Sequence, residues 1–261
     1  MRLATVALGL LVAVAAGCAR GPSDADATVL VRGNGSGPDS LDPQKARTVQ
    51  GQEVLRDLCE SLTALDPSAA VAPGAASAWS AEEGGLTYRF TLRHGARWSN
   101  GDPVVAADFV AALQRLVDPA TASAYAEVVD VIANARSIIA GKSPPSALGV
   151  SAPDDSTVIV RLASPAPYLP ALLSHPSTCP VHRPTLTRYG SGFAQPGRAV
   201  SNGAFTLAEW VPGSHVLIKR NHFYWNDAGN HIEAVRYVEV PDESAELWVR
   251  AAVNRLRSRK V

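Results

Sequence analysis

Six histidines, His94, His175, His182, His215, His222 and His231, are the side chains of this sequence best suited to hold a metal or carry a proton near neutral pH. Two imidazoles share one helical face when they stand four positions apart, and no pair here does, so no metal site and no cofactor is expected. Asp and Glu together number 24, yet a general acid and its base cannot be recognised from order along the chain. The sequence has no G-x-S-x-G elbow and no P-loop, and "RGNGSGP" fails the dinucleotide fingerprint because Pro38 stands where the third glycine belongs. With no candidate catalytic residue, the expectation is a protein that is not an enzyme.

Cysteine is the other reactive type, at Cys18, Cys59 and Cys179. Cys18 follows "MRLATVALGLLVAVAAG", one arginine and then an uncharged apolar run, the pattern of a secretory leader and short for a membrane span. Ala16 and Gly17 before Cys18 resemble the lipobox of bacterial lipoproteins, with Ala15 where that motif usually has leucine. The expectation is a signal peptide over 1–17, an acylated Cys18, a tether over 18–28 and a periplasmic protein held to a bacterial membrane by its lipid, each buried methylene contributing about 0.8 kcal/mol. An oxidising compartment would allow Cys59 and Cys179 to pair, but sequence gives no distance between them. Cys59 lies in "EVLRDLCESL", whose Val54, Leu55, Leu58 and Leu62 repeat at helical spacing, and a buried free thiol is the expected state.

Behind these residues stand elements of both kinds. In "GGLTYRFTLRHGARWSNGDP" Leu86, Tyr88, Phe90 and Leu92 alternate with polar residues as a half-buried strand does. Asn100-Gly101 turns the chain, and Phe109, Val110, Leu113, Leu116 and Val117 then mark one face of a helix that Asp118-Pro119 ends. Further strands are expected at Val29–Arg32, in "DDSTVIVRL", on both sides of Pro212-Gly213 and in "HIEAVRYVEV", with a short helix in "PAPYLPALLSHP". The pattern predicts a mixed α/β (α+β) fold. A hydrophobic content of 46% over 261 residues suits a globular core, and a net charge of +0 gives no general attraction to nucleic acid, so no nucleic-acid partner is expected.

The run "AWSAEEGGLTYRFTLRHGARWSNGDPVVAADFVAALQRLVDP" closely resembles the signature of the peptide/nickel ABC-transporter solute-binding family (solute-binding protein family 5), especially its periplasmic oligopeptide-binding members. The likeness extends from residue 29 to about 244. It implies two lobes closing over an extended peptide, of which this chain carries the first lobe of a periplasmic binding protein type II-like fold, with the second lobe absent. The implied division places 29–59 and 185–244 in the lobe and 60–184 in an inserted subdomain. Trp98 is then scaffold. Where family members often have threonine before the A-x-D that opens the helix, this chain has Val105, which costs about 1 kcal/mol of capping unless another group meets those N–H donors.

The resemblance also implies a site. Peptide would lie as an added strand along Arg47, Thr48 and Val49, and Tyr125 matches a family tyrosine that contacts ligand. Family proteins often carry an acidic residue where Arg47 stands, so the preference there would shift toward acidic groups. The implied partners are short peptides, an ABC-transporter permease and a membrane reached by the lipid anchor. The alternatives are a scaffold lipoprotein or another solute such as nickel, haem or a sugar. After "AVRYVEVPDESAE" the family pattern stops, and "LWVRAAVNRLRSRKV" reads as an aberrant basic tail over 245–261, expected from a truncated or frameshifted gene.

Overall fold

The computed structural model describes residues 29–240; the leader, Cys18 and the basic stretch at 245–261 lie outside them. Along the chain run β1 (Val29–Gly33), α1 (Val49–Leu58), β2 (Thr63–Leu65), β3 (Val71–Pro73), β4 (Ala76–Glu82), β5 (Thr87–Leu92), α2 (Ala106–Val117), α3 (Ala135–Ile139), β6 (Val150–Asp154), β7 (Thr157–Arg161), α4 (Leu169–Leu172), α5 (Arg183–Tyr189), β8 (Phe205–Val211), β9 (His215–Arg220) and β10 (Ala234–Val238). This is the mixed α/β composition that the spacing predicts.

Alternation builds one sheet. Tyr88, Phe90 and Leu92 point inward from β5, with Phe90 opposite Val158 and Tyr88 opposite Val160 across the antiparallel pairing with β7, and the sheet has the order β4-β5-β7-β6. α2 lays Phe109, Leu113, Leu116 and Val117 on it, and Ile132, Ile138, Leu169 and Leu173 complete that core. Fully burying each such side chain contributes about 1.5–3 kcal/mol. Leu86 departs from the expected face: it follows a 3₁₀ turn at Glu83–Gly85, before β5 begins, and is 39% exposed. Thr87 is buried in its stead and donates to Glu83 Oε2.

The start of α2 explains the opening run. Trp98 is 1% exposed, its indole N–H donating to Asp108 Oδ2 at 3.2 Å, so it packs in the core as scaffold. The same Oδ2 accepts the Val105 N–H at 3.1 Å, and Arg183 Nε donates to Asp108 Oδ1 at 2.9 Å. The capping deficit expected at Val105 is partly made good, because the Ala106 N–H finds the Asp155 carbonyl at 2.8 Å.

A second sheet, ordered β1-β10-β9-β8, closes the molecule on itself. β1 pairs parallel with β10, while β9 runs antiparallel to both β10 and β8. Gly213, at φ 75°, makes the tight turn between β8 and β9, a conformation that a residue with a Cβ resists. Val216, Ile218, Val235 and Tyr237 from this sheet and Val54 and Leu58 from α1 form a core separate from the first. α2 bridges the two: Ala112 belongs to the second core, and Arg115 makes a bidentate pair with Asp42 at 2.7 and 2.6 Å while also donating to Gln44 Oε1. Gln44 in turn donates to the carbonyls of Ser177 and Cys179.

Those contacts bring the end of α1 against the segment after α4, and there the structure corrects the free-thiol expectation. Cys59 and Cys179 are joined by a disulfide, their Cα atoms 6.0 Å apart across a sequence separation of 120. The proximity is made by long-range packing, which the local helical spacing around Cys59 could not reveal.

Candidate functional site

The segment Arg47–Val49 enters α1, and its shape is set by Asp39. The Arg47 and Thr48 N–H groups both donate to that carboxylate, as does Thr48 Oγ1 at 2.9 Å. Burial pushes the Asp39 carboxyl up, but the bonds from Thr48 and Arg47 outweigh it and hold the group below its usual range. Thr48 is also the N-cap of α1, its Oγ1 accepting the Gly51 N–H. Arg47 and Thr48 thus have no N–H left for an added strand. What the segment offers outward is the exposed Arg47 guanidinium and Val49, which is 67% exposed.

Tyr125 meets this segment from the other core. Its hydroxyl donates to the Arg47 carbonyl at 3.1 Å, and its ring lies 4.7 Å from that of His175. Arg47, Thr48, Val49 and Tyr125 therefore stand together although 78 positions separate Arg47 from Tyr125. The sequence shows His175 only as one of six histidines and does not place it beside Tyr125. Burial and then the nearby Arg56 guanidinium hold its imidazole below the ordinary value.

Arg56 leads into a surface cavity of about 280 Å³, also lined by both disulfide cysteines, Ser61, Ser174 and Tyr224. Glu60 forms part of the wall. Tyr224 Oη and Trp225 Nε1 donate to its two carboxylate oxygens at 2.7 and 2.8 Å, and Arg93 stacks over the Trp225 ring at 3.6 Å. Burial raises the Glu60 carboxyl above its usual range despite these donors. Gly203 closes the wall, because a Cβ there would come within 2.6 Å of the Leu58 backbone.

One arrangement has the connectivity of a catalytic relay. His182 Nδ1 lies 2.5 Å from Thr185 Oγ1 and its Nε2 2.9 Å from Asp102 Oδ2. Thr185 and His182 are both buried in the first turn of α5, and neither side chain lines the cavity just described, so a substrate has no approach to the hydroxyl. His215 and His222 pair with Glu209 and Asp227. Among the described residues no group of three His, Cys, Asp or Glu side chains could hold a metal ion.

With this geometry in place, the chain matches a known class of protein. Residues 70–249 match the model "Bacterial extracellular solute-binding proteins, family 5 Middle", and the chain belongs to this family. It is 41% identical over 252 residues to the periplasmic oligopeptide-binding protein OppA of Escherichia coli, covering 96% of this chain and 45% of that protein. It is 37% identical over 207 residues to the probable deoxycholate-binding periplasmic protein YgiS of the same organism, 78% of this chain and 39% of the relative. The structure superposes on Haemophilus influenzae OppA in complex with RPPGFSPFR at a TM-score of 0.85 and 36% identity, covering 88% of this chain and 45% of that one. The chain thus spans about half the length of these relatives, and the matched portion is consistent with a single lobe.

Arg47, Thr48, Val49 and Tyr125 were reached through the family signature. His175, Arg56 and the disulfide were not, because each takes its place from contacts between segments more than 100 positions apart.

Proposed function

We propose that this chain is the first lobe of an extracytoplasmic solute-binding component of an ABC importer, and that the rim Arg47–Thr48–Val49 with Tyr125 receives one face of an extended oligopeptide. The observation that carries the reading is the Tyr125 hydroxyl bonded to the Arg47 carbonyl, which ties the rim to the other core and leaves the Arg47 and Val49 side chains exposed beside it. Relatives named for peptide binding support it. Residues 29–59 and 185–244 would form the lobe and 60–184 its inserted subdomain, in keeping with the two cores. The protein acts by binding and not by catalysis, in the periplasm, with Cys18 as the lipid anchor and a permease as its membrane partner.

Because Asp39 already takes the Arg47 and Thr48 N–H groups, affinity at this rim comes from side chains more than from an added-strand ladder. The exposed Arg47 guanidinium, which forms no salt bridge among the described residues, favours a peptide with an acidic residue at that subsite. Backbone resonances of the full chain titrated with millimolar Ala-Glu-Ala and Ala-Lys-Ala test this. Shifts at residues 47–49 and 125, stronger for the acidic peptide and reversed in preference by Arg47→Glu, are expected. Shifts confined to other surfaces, or cleavage of the peptides, would overturn the reading. Movement of the protein from membrane to soluble periplasm on Cys18→Ala is the expected result for the anchor.

A further inference from the structure

The bond between Cys59 and Cys179 encloses everything from β2 to α4, so it closes a covalent ring around the first sheet and its core. Its two cysteine residues are unequally placed. Cys179 is 1% exposed and Cys59 is half-buried, and both residues line the 280 Å³ cavity. Arg56 lines the same cavity and forms no salt bridge among the described residues, so its cation is free to draw an incoming thiolate. The opposing charge, Glu60, is engaged by Tyr224 and Trp225. On the buried side, Ser61 Oγ lies 3.3 Å from the His175 carbonyl and 3.4 Å from Cys179 Sγ, so its one proton, given to the carbonyl while the bond is intact, can turn to that sulfur once it becomes a thiolate.

We propose that Cys59–Cys179 is a redox-active latch, opened by a dithiol reductant that attacks Cys59 Sγ through the cavity, and that opening it loosens the segment 173–181 that carries His175 to the groove. In the first step the attacking thiolate forms a mixed disulfide with Cys59 while the S–S bond breaks and Cys179 leaves as a thiolate, stabilised by the Ser61 hydroxyl and then protonated from solvent. In the second, the reductant's other thiolate attacks its own sulfur of the mixed disulfide and Cys59 leaves as a thiolate. Two electrons pass from the dithiol, which ends as a disulfide, to the protein, which ends with two thiols.

The link to the groove is short. Ser61 Oγ and Thr178 Oγ1 hold the His175 carbonyl at 3.3 and 2.8 Å, and the Tyr125 ring packs on the His175 imidazole. With the bond cut, the Gln44 contacts to Ser177 and Cys179 remain, so the segment gains motion without leaving its place. This inference does not depend on which solute the groove takes.

The test uses the full chain, purified oxidised and placed in native buffer with glutathione as the trapping thiol and dithiothreitol as the dithiol. Acid quenching, alkylation and peptide mass spectrometry, with Cys18 read on its own peptide, should find the glutathione adduct on Cys59 and the alkyl group on Cys179. Reduction should outrun global unfolding, Ser61→Ala should slow it roughly tenfold and Ser61→Thr should restore it. Amide exchange in 173–181 should rise several-fold on reduction while β9 stays protected. An adduct on Cys179 or equally on both cysteines, reduction only at the unfolding rate, or unchanged exchange in 173–181 would each overturn the proposal, and the wild-type measurements stand even if the Ser61 variants fold poorly.

Discussion

The His175 imidazole is held below its ordinary pKa by two unlike causes that mutation can separate. Burial is the larger and the Arg56 guanidinium the smaller, so Arg56→Gln should raise the His175 pKa while leaving it under the ordinary 6.5. An NMR titration of the imidazole protons in both proteins checks this, and an unchanged value would show that Arg56 does not reach the ring. The sign for stability follows. The unfolded chain takes a proton on His175 as pH falls through about 6.5 and the folded chain does not, so stability is lost from 6.5 downward until the depressed folded value is reached, and is unaffected above. Nothing in the stretch "LLSHPSTC" announces this. The sequence reads His175 only as the end of a short helix, and its neighbours come from α1 and from Tyr125, which sequence order keeps far apart.

At the scale of elements, α2 is where reading and structure agree most closely. Phe109, Leu113 and Leu116 were legible because a 3.6-residue period needs only local order to be seen, and all three are buried. Phe109→Ala should cost about 3–5 kcal/mol in urea unfolding, since it leaves a cavity between α2 and the sheet. A cost below 1 kcal/mol would mean that the helix repacks. Val105 sets the opposite case. It has no side chain able to cap, and Asp108 and the Asp155 carbonyl supply only part of what the first turn lacks. Val105→Thr should therefore gain about 1 kcal/mol in the same assay. Leu86 shows how local reading fails: the alternation continues through it on paper, but the positive φ of Gly84 and Gly85 turns the chain before the strand begins.

For the molecule as a whole, the relatives it matches are about twice as long, and a single wall leaves one side of a bound peptide hydrated. Hydrogen bonds to charged groups are worth about 1.5–3 kcal/mol each, so these 261 residues tested by themselves, with one wall for the proposed peptide, should bind tri- to pentapeptides more weakly than micromolar. Calorimetry decides it, and a micromolar or tighter constant would show that this lobe suffices. The fold at this scale was legible through a long family signature, whereas the disulfide and the α2 bridge to Asp42 were not, since pairings this distant leave no periodic trace.

The parallel pairing of β1 with β10 carries a consequence for timing. Val29 lies beside Ala234, so β1, the first of the described strands, has no neighbour until some 200 residues more have been delivered to the compartment where the chain folds, roughly 10–40 s if delivery keeps pace with ordinary synthesis rates. The β4-β5-β7-β6 sheet needs only residues 76–161 and can be complete well before then. During that interval the edge of β1 is an open template for a neighbouring unfolded chain, and the hazard grows with every pause in delivery. Assembly of the described residues therefore runs from their middle outward, with their first strand among the last to find a home.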